Sequence, residues 1–369
     1  MKRAVVAAIS LMTGLTMLTG CSKAEVEETI QPLVADAIEE SDSEAEAVDE
    51  QDESPLIPEI DTDVKIEAGS RIAVVSKSVK GEYWKMVKKG MEDAVKAIND
   101  AYGFKKDDQI TMTFEGPDNE EDVESQINTI DAVIAENPDV LCISASDMDS
   151  CEAQLEAAKE NGIPVIAFDS NVAEKKLVKA YRGTDNVQVG KMAAYQLGSA
   201  LGKMGKVAVF SAQQKTKSVQ DRVEGFMNNI GKYGDIEVVE TIYSDQVDDM
   251  EASMKEVLEK YPTLDGVFCT NADITEMYLN LEKSDEHDAP ALVGVDATTK
   301  QQEAIRNGEE IGCVSQQPYA MGYQTIWAAV ETTAPKKSVV IEKNVLSNPA
   351  WIDADCLDDP DYSGYLYTE

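Results

Sequence analysis

The side chains equipped for chemistry in this sequence recur at one kind of place: just after short apolar runs. Behind Arg71-Ile72-Ala73-Val74-Val75 comes the polar stretch Lys77 to Glu82 and then the aromatic pair Tyr83-Trp84. Behind Ile163 to Phe168 comes Asp169-Ser170-Asn171, and Arg222 opens a helical pattern after the polar loop Ser211 to Asp221. Asn271, Asp296 and Gln316 each close a later apolar run. Flat aromatic rings can cover the apolar C–H face of a sugar. Carboxylates and a guanidinium make charge-assisted hydrogen bonds to hydroxyls, and carboxamides offer donor and acceptor together. The set suits recognition of a small, polar, hydroxyl-rich molecule. Each member also has a purely structural use. Trp84 falls at core spacing in a helix. Asp169 and Asp296 stand where strand–helix junctions want N-caps. Asn271 precedes a helix that it could cap, and Arg222 could form a surface ion pair.

The elements that must position these residues come in two rounds of strand–helix alternation. The first has strands at 71–76, 109–115, 140–144 and 163–168, with helices at 83–102, 121–136 and 151–161. In the first helix Trp84, Val87, Met91, Val95 and Ile98 share one face. After residue 185 the pattern restarts with helices at 187–202, 218–230, 247–260, 272–282 and 298–307. Strands at 205–210, 236–243, 266–270, 291–295 and 311–315 lie between them, and a long helix from Pro318 to Thr333 follows. Apolar strands alternating with amphipathic helices predict parallel sheets covered on both faces. The expected fold is therefore α/β, with two doubly wound parallel-sheet lobes. In such sheets ligands bind beyond the carboxyl ends of the strands, which is where the polar residues fall.

Composition narrows the function classes. The 369 residues carry a formal net charge of -37, which opposes a nucleic-acid partner. Met1, Lys2 and Arg3 precede an apolar run from Ala4 to Leu18 that ends in Leu18-Thr19-Gly20-Cys21. A basic start, a short apolar stretch and small residues before a cut describe a secretory signal. The Leu-Thr-Gly-Cys end resembles a bacterial lipobox, which implies a lipid anchor on Cys21 and an extracytoplasmic location at the cell membrane. Residues 22–68 are rich in acids, have few large apolar groups and read as a solvated, disordered tether. The remaining cysteines, Cys142, Cys151, Cys269, Cys313 and Cys356, lack metal-like spacing and read as buried thiols, with one disulfide as the alternative. The single histidine, His287, lies in a polar loop, which argues against a histidine triad or a histidine-rich metal site. No cofactor is expected. Asp169 and Asp296 could in principle serve a glycosidase, but no nucleophile motif accompanies them, and the expectation is a protein that is not an enzyme.

Taken in order, the segments IPVIAFD (163–169), GTDN (183–186), RVEGF (222–226), DGVFCTN (265–271), VGVD (293–296) and SQQP (315–318) resemble the ribose-type periplasmic sugar-binding proteins that serve ABC importers. The resemblance covers residues 70–348. It implies the periplasmic binding protein type I fold, with three crossings between lobes near 184–185, 316–317 and 345–346. The first lobe would take 69–184 plus 317–345, and the second 185–316 plus 346–369. It implies that Tyr83 and Trp84 stack on a sugar ring. Asp169 would bind hydroxyls from the first lobe; Arg222, Asn271 and Asp296 would do so from the second, and Gln316 from a crossing. Lobe closure on a monosaccharide, delivery to a membrane permease and a monomeric state follow from the same resemblance. A ligand-sensing role beside a chemoreceptor or sensor kinase is the alternative. There are departures: Lys80-Gly81-Glu82 stands before the aromatic pair where the family usually has Asn-Pro or Asn-Asn, and Ser170 stands where Arg often follows the strand-end aspartate. The tail from 348 to 369 extends past the usual end of the family and has no assigned function.

Overall fold

A computed structural model describes residues 57–281, 289–335 and 338–368. The leader, Cys21, most of the acidic stretch and His287 lie outside the described residues.

Strand β1 (Arg71–Val75) is apolar and buried after its first residue, and helix α1 (Gly81–Tyr102) follows it. Val87, Met91, Ala94 and Ile98 of α1 are fully buried, and Gly103 closes the helix in the left-handed conformation (φ 68°). The first round continues with β2 (Thr111–Glu115), α2 (Val123–Ala135), β3 (Val140–Ile143), α3 (Glu152–Glu160), β4 (Val165–Phe168) and β5 (Ala180–Thr184). The second runs α4 (Asn186–Ala200), β6 (Met204–Ser211), α5 (Lys217–Ile230), β7 (Asp235–Tyr243), α6 (Met250–Lys260), β8 (Gly266–Cys269), α7 (Ala272–Leu279), β9 (Ala291–Val295), α8 (Thr299–Asn307) and β10 (Gly312–Ser315). Helix α9 (Pro318–Glu331) and strands β11 (Asn344–Ser347) and β12 (Ala350–Ile352) complete the set.

These strands form two six-stranded sheets, ordered β11-β5-β4-β3-β1-β2 and β12-β10-β9-β8-β6-β7. Every pairing is parallel except that of β12 with β10. The order around β1 repeats around β6, so each lobe is one copy of the same doubly wound plan. Strands β3, β4, β8 and β10 are buried at every residue, as strands covered on both faces must be.

The chain crosses between sheets at 185, again at 316–317, and a third time between β11 and β12. Sequence reasoning placed the third crossing at 345–346. Strand β11 stays paired with β5 through Ser347↔Thr184, so the chain leaves the first sheet two residues later. Helix α9 packs on α1 in the first lobe. Its interior from Ala320 to Val330 is buried on all sides, which explains its lack of a polar face.

Each lobe contains one helix pair in near backbone contact. A Cβ on Gly190 of α4 would lie 2.0 Å from the Arg222 carbonyl oxygen of α5, and one on Gly225 of α5 would lie 2.2 Å from that of Val187. In the first lobe Gly90 and Gly322 do the same for α1 and α9, at 2.0 Å from the Tyr319 and 2.2 Å from the Val87 carbonyl oxygen. The five cysteines among the described residues are free thiols, four of them buried and Cys356 half-buried.

Candidate ligand-binding site

The strand ends of the two lobes face each other across a cavity of about 280 Å³. Tyr83, Trp84, Asp169, Arg222, Asn271, Asp296 and Gln316 all line it. So do charged groups that sequence reasoning did not single out individually: Lys77, Glu82, Glu120, Asp273 and Glu276.

Asp169 is the hub of the first-lobe wall and is 3% exposed. It sits at the end of β4 with φ 54°, a left-handed turn that swings its carboxylate into the cleft. Oδ1 accepts from the Tyr83 hydroxyl at 2.7 Å. Oδ2 accepts from Ser144 Oγ at 2.7 Å and lies 3.0 Å from Lys77 Nζ. Lys77 also reaches Glu120 Oε2 at 3.3 Å, while Glu120 Oε1 accepts the Trp84 indole N–H at 2.6 Å. Tyr83 and Trp84 meet edge to face, with ring centroids 5.1 Å apart. Both rings belong to the first-lobe core and border the cavity as well, so the packing and lining uses of Trp84 coexist.

The second-lobe wall repeats the motif. Asp296, at the end of β9, also has positive φ, 79°. Its Oδ2 accepts from the Ala272 amide at 3.0 Å, and its Oδ1 from Gln316 Nε2 at 2.7 Å and Tyr367 Oη at 2.9 Å. The other end of Gln316 accepts from Thr184 Oγ1 at 2.9 Å, so one hydrogen-bonded chain links two of the crossings. Arg222 is buried, not a surface ion pair. Its Nε donates to Asn186 Oδ1 and its Nη1 to the Thr270 carbonyl, both at 2.8 Å. Asn271 does cap α7, accepting from the Ile274 amide, and its amide nitrogen is left beside the cavity. Thr298, not Asp296, caps α8, through a capping box with Gln301.

Tyr367 is the residue that sequence reasoning missed most completely. It lies in the tail past the last strand, is 1% exposed, and packs 5.9 Å from the Tyr83 ring. No local pattern marks it, because every contact it makes is remote in sequence.

The lobes touch around the cavity rim. Thr216 Oγ1 donates to the Ser146 carbonyl at 2.6 Å, Ser170 and Ser218 hydroxyls meet at 2.7 Å, and the Thr299 amide donates to Glu82 Oε2 at 2.8 Å. Ser170, in the place of the expected arginine, therefore serves as a latch between lobes.

Electrostatics differ between the walls. Burial is the largest single influence on Asp169 and Lys77 and opposes both charges. The Lys77 charge, with the Tyr83 and Ser144 hydrogen bonds and Arg222, nevertheless holds the Asp169 carboxyl below its ordinary range, and Asp169 with Glu120 holds the Lys77 ammonium above its own. Burial, then Asp169, pushes the Tyr83 hydroxyl well up. Asp273 is exposed on its cavity side, with protein close around the rest of its carboxyl. That burial, followed by the carboxylates of Glu120, Glu276 and Asp296, raises its carboxyl to about 7, against only a weak opposing pull from Lys77. A group raised in this way adds stability to the closed form at low pH and loses it as the pH rises through 7. Small-angle scattering of the ligand-free protein should therefore give a smaller radius of gyration near about pH 5.5 than near about pH 8. Identical radii would remove Asp273 from the closing equilibrium.

The chain belongs to the periplasmic binding protein family, whose domain model matches residues 72–337. The ribose import binding protein of Bacillus subtilis is 26% identical over 220 residues, 60% of this chain and 71% of that protein. An ABC transporter solute binding protein of Agrobacterium vitis with bound D-fucose is 26% identical, with a TM-score of 0.72 over 81% of this chain and 100% of that one. A second one from the same organism, bound to α-D-tagatopyranose, shares the fold, with a TM-score of 0.74 at 24% identity over 81% of this chain and 100% of its own. The resemblance to ribose-type sugar-binding proteins and the two-lobed type I fold stand on these matches. Among the described residues no helix is long and apolar enough to cross a membrane.

Proposed function

We propose that this chain is an extracytoplasmic lipoprotein that captures a monosaccharide or similar small polar molecule between its lobes and delivers it to an ABC importer. The observation that carries this reading is the convergence of Tyr83, Trp84, Asp169, Arg222, Asn271, Asp296 and Gln316, drawn from both lobes and a crossing, on one cavity. A ligand held from both sides binds the closed form better than the open one and so shifts the population toward closure. Burial makes the site selective, since a wrong epimer leaves buried protein donors or acceptors unpaired. Tyr83 and Trp84 supply the apolar wall of the cavity, and Asp169, Arg222, Asn271, Asp296 and Gln316 its polar groups. Closure brings the two lobe surfaces into the one arrangement that a permease recognises. The lipobox-like Leu18 to Cys21 supplies the anchor that raises the receptor's concentration near that permease.

Calorimetry of the purified chain against pentoses, hexoses, deoxy sugars and inositols tests this. One-to-one binding of one or a few of them is expected, and a folded protein that binds none of them overturns the sugar reading. For whichever sugar binds, Trp84→Ala should weaken affinity at least about tenfold, or about 1.4 kcal/mol, because a buried ring face is lost. Unchanged affinity takes Trp84 out of the site.

A further inference from the structure

We infer that the molecule this cleft is built for carries a cationic nitrogen, as an amino sugar or aminated polyol does, with its ammonium beside Asp273 and Glu276. The inference rests on the sugar-receptor reading above and narrows it. Three observations support it.

The first is the balance of charge. Among the buried and half-buried lining groups the cavity presents five carboxylates, those of Glu82, Glu120, Asp169, Glu276 and Asp296, against two cations, Lys77 and Arg222, and Asp273 adds a sixth carboxylate that is exposed to the cavity. The other charged lining groups sit at the edge: Lys80 pairs loosely with Asp118 at 3.7 Å, both exposed, and Lys85 is exposed.

The second is how that charge is used. Lys77 is spent on Asp169 and Glu120. Asp296 already accepts from three neutral donors. Asp273 has no hydrogen-bond or ion-pair partner among the described residues, and Glu276 is engaged only at Oε1, by Thr298 Oγ1 at 2.7 Å. These two lie three apart on α7, so they share a face and repel each other. Glu276 is half-buried and Asp273 exposed, so solvent screens part of that repulsion, and what remains adds to the burial and the Glu120 charge that raise the Asp273 carboxyl.

The third is independent of the acids. Arg222 and Asn271 are 3% and 8% exposed and border the same cavity. Arg222 Nη2 and Asn271 Nδ2 find no partner among the described residues. The cavity thus offers unpaired donors at one place and unpaired acceptors at another. Hydroxyl or ring oxygens of a ligand would accept at Arg222 and Asn271. A ligand hydroxyl at Asp273 could donate one hydrogen bond and leave the charge in place. An ammonium donates up to three and offsets one of the two carboxylate charges. Arg222 repels an ammonium from its own end, which fixes the ligand's orientation.

The test is calorimetry of the purified chain with matched sets: D-glucose, D-glucosamine and N-acetyl-D-glucosamine, and the corresponding galactose and mannose sets, at neutral pH and moderate salt. At least one amine should bind ten times or more tighter than its hydroxyl and N-acetyl counterparts. Asp273→Asn should cut that preference at least severalfold, and Glu276→Gln, read separately, covers the case in which the first variant fails to fold. A neutral sugar that binds as tightly as its amine, or an amine preference unmoved by either variant, overturns the inference and leaves the sugar reading standing. Absence of binding across these sets, with folded protein, overturns the inference, and the sugar reading falls with it only if the wider panel of pentoses, deoxy sugars and inositols also fails to bind.

Discussion

Replacing Asp169 by alanine should cost about 3–5 kcal/mol of stability, because it leaves Lys77 buried with only Glu120 as a counter-charge. In a folded part of this size that is roughly 5–8 °C in Tm, read by calorimetric melting. Binding of the sugar found by the panel should fall by roughly a hundredfold or more, since the Tyr83 hydroxyl loses its acceptor and Lys77 its position. Alanine also meets the left-handed backbone at φ 54°, a further cost that asparagine largely avoids. Asp169→Asn therefore separates the two effects: it keeps the turn and loses the charge. If the asparagine variant melts with the native protein and binds as tightly, the buried ion pair does not organise the site.

Gly190→Ala should produce the second large effect, although residue 190 touches no ligand position. The added methyl would meet the Arg222 carbonyl oxygen at 2.0 Å and the Phe226 amide at 2.5 Å, so α4 and α5 must move apart. Overpacking of this kind costs about 1–3 kcal/mol. The movement separates Asn186 on α4 from the Arg222 guanidinium that it holds at 2.8 Å, and affinity should fall with stability, by about tenfold. Gly234→Ala is the control. Its methyl meets nothing within 4 Å and its backbone is not left-handed, so melting and binding should stay near native. Native-like melting of Gly190→Ala would show that the helices can separate freely.

Much of this site was legible because it obeys one rule: polar residues directly after fully apolar strands. Strands β1, β3, β4, β8 and β9 announce themselves as unbroken apolar runs, and Asp169, Asn271 and Asp296 follow from their ends. Strand β5 did not read as a strand, because AYRGT carries an arginine and a glycine; its Arg182 is held by the carbonyls of Tyr181 and Glu342, contacts no local pattern reveals. Strands β11 and β12 are short edge strands whose pairing is purely tertiary. Glu120 was hidden for a related reason. It sits in a loop between β2 and α2, and its partners Lys77 and Trp84 lie about forty residues back, across the first β–α crossover.

The tail adds something of a different kind. Tyr367 holds Asp296 with its hydroxyl, the Ala297 carbonyl with its amide, and the face of Tyr83 with its ring. Tyr83 belongs to the first-lobe wall and Asp296 to the second, so the penultimate stretch of the chain is a wedge seated at the back of the cleft. The segment that carries Tyr367 is consequently a working part. A disturbance at Tyr367 is expected to reach both walls at once, so a small fluorophore placed beside it would act as a gauge, its signal changing when either wall shifts.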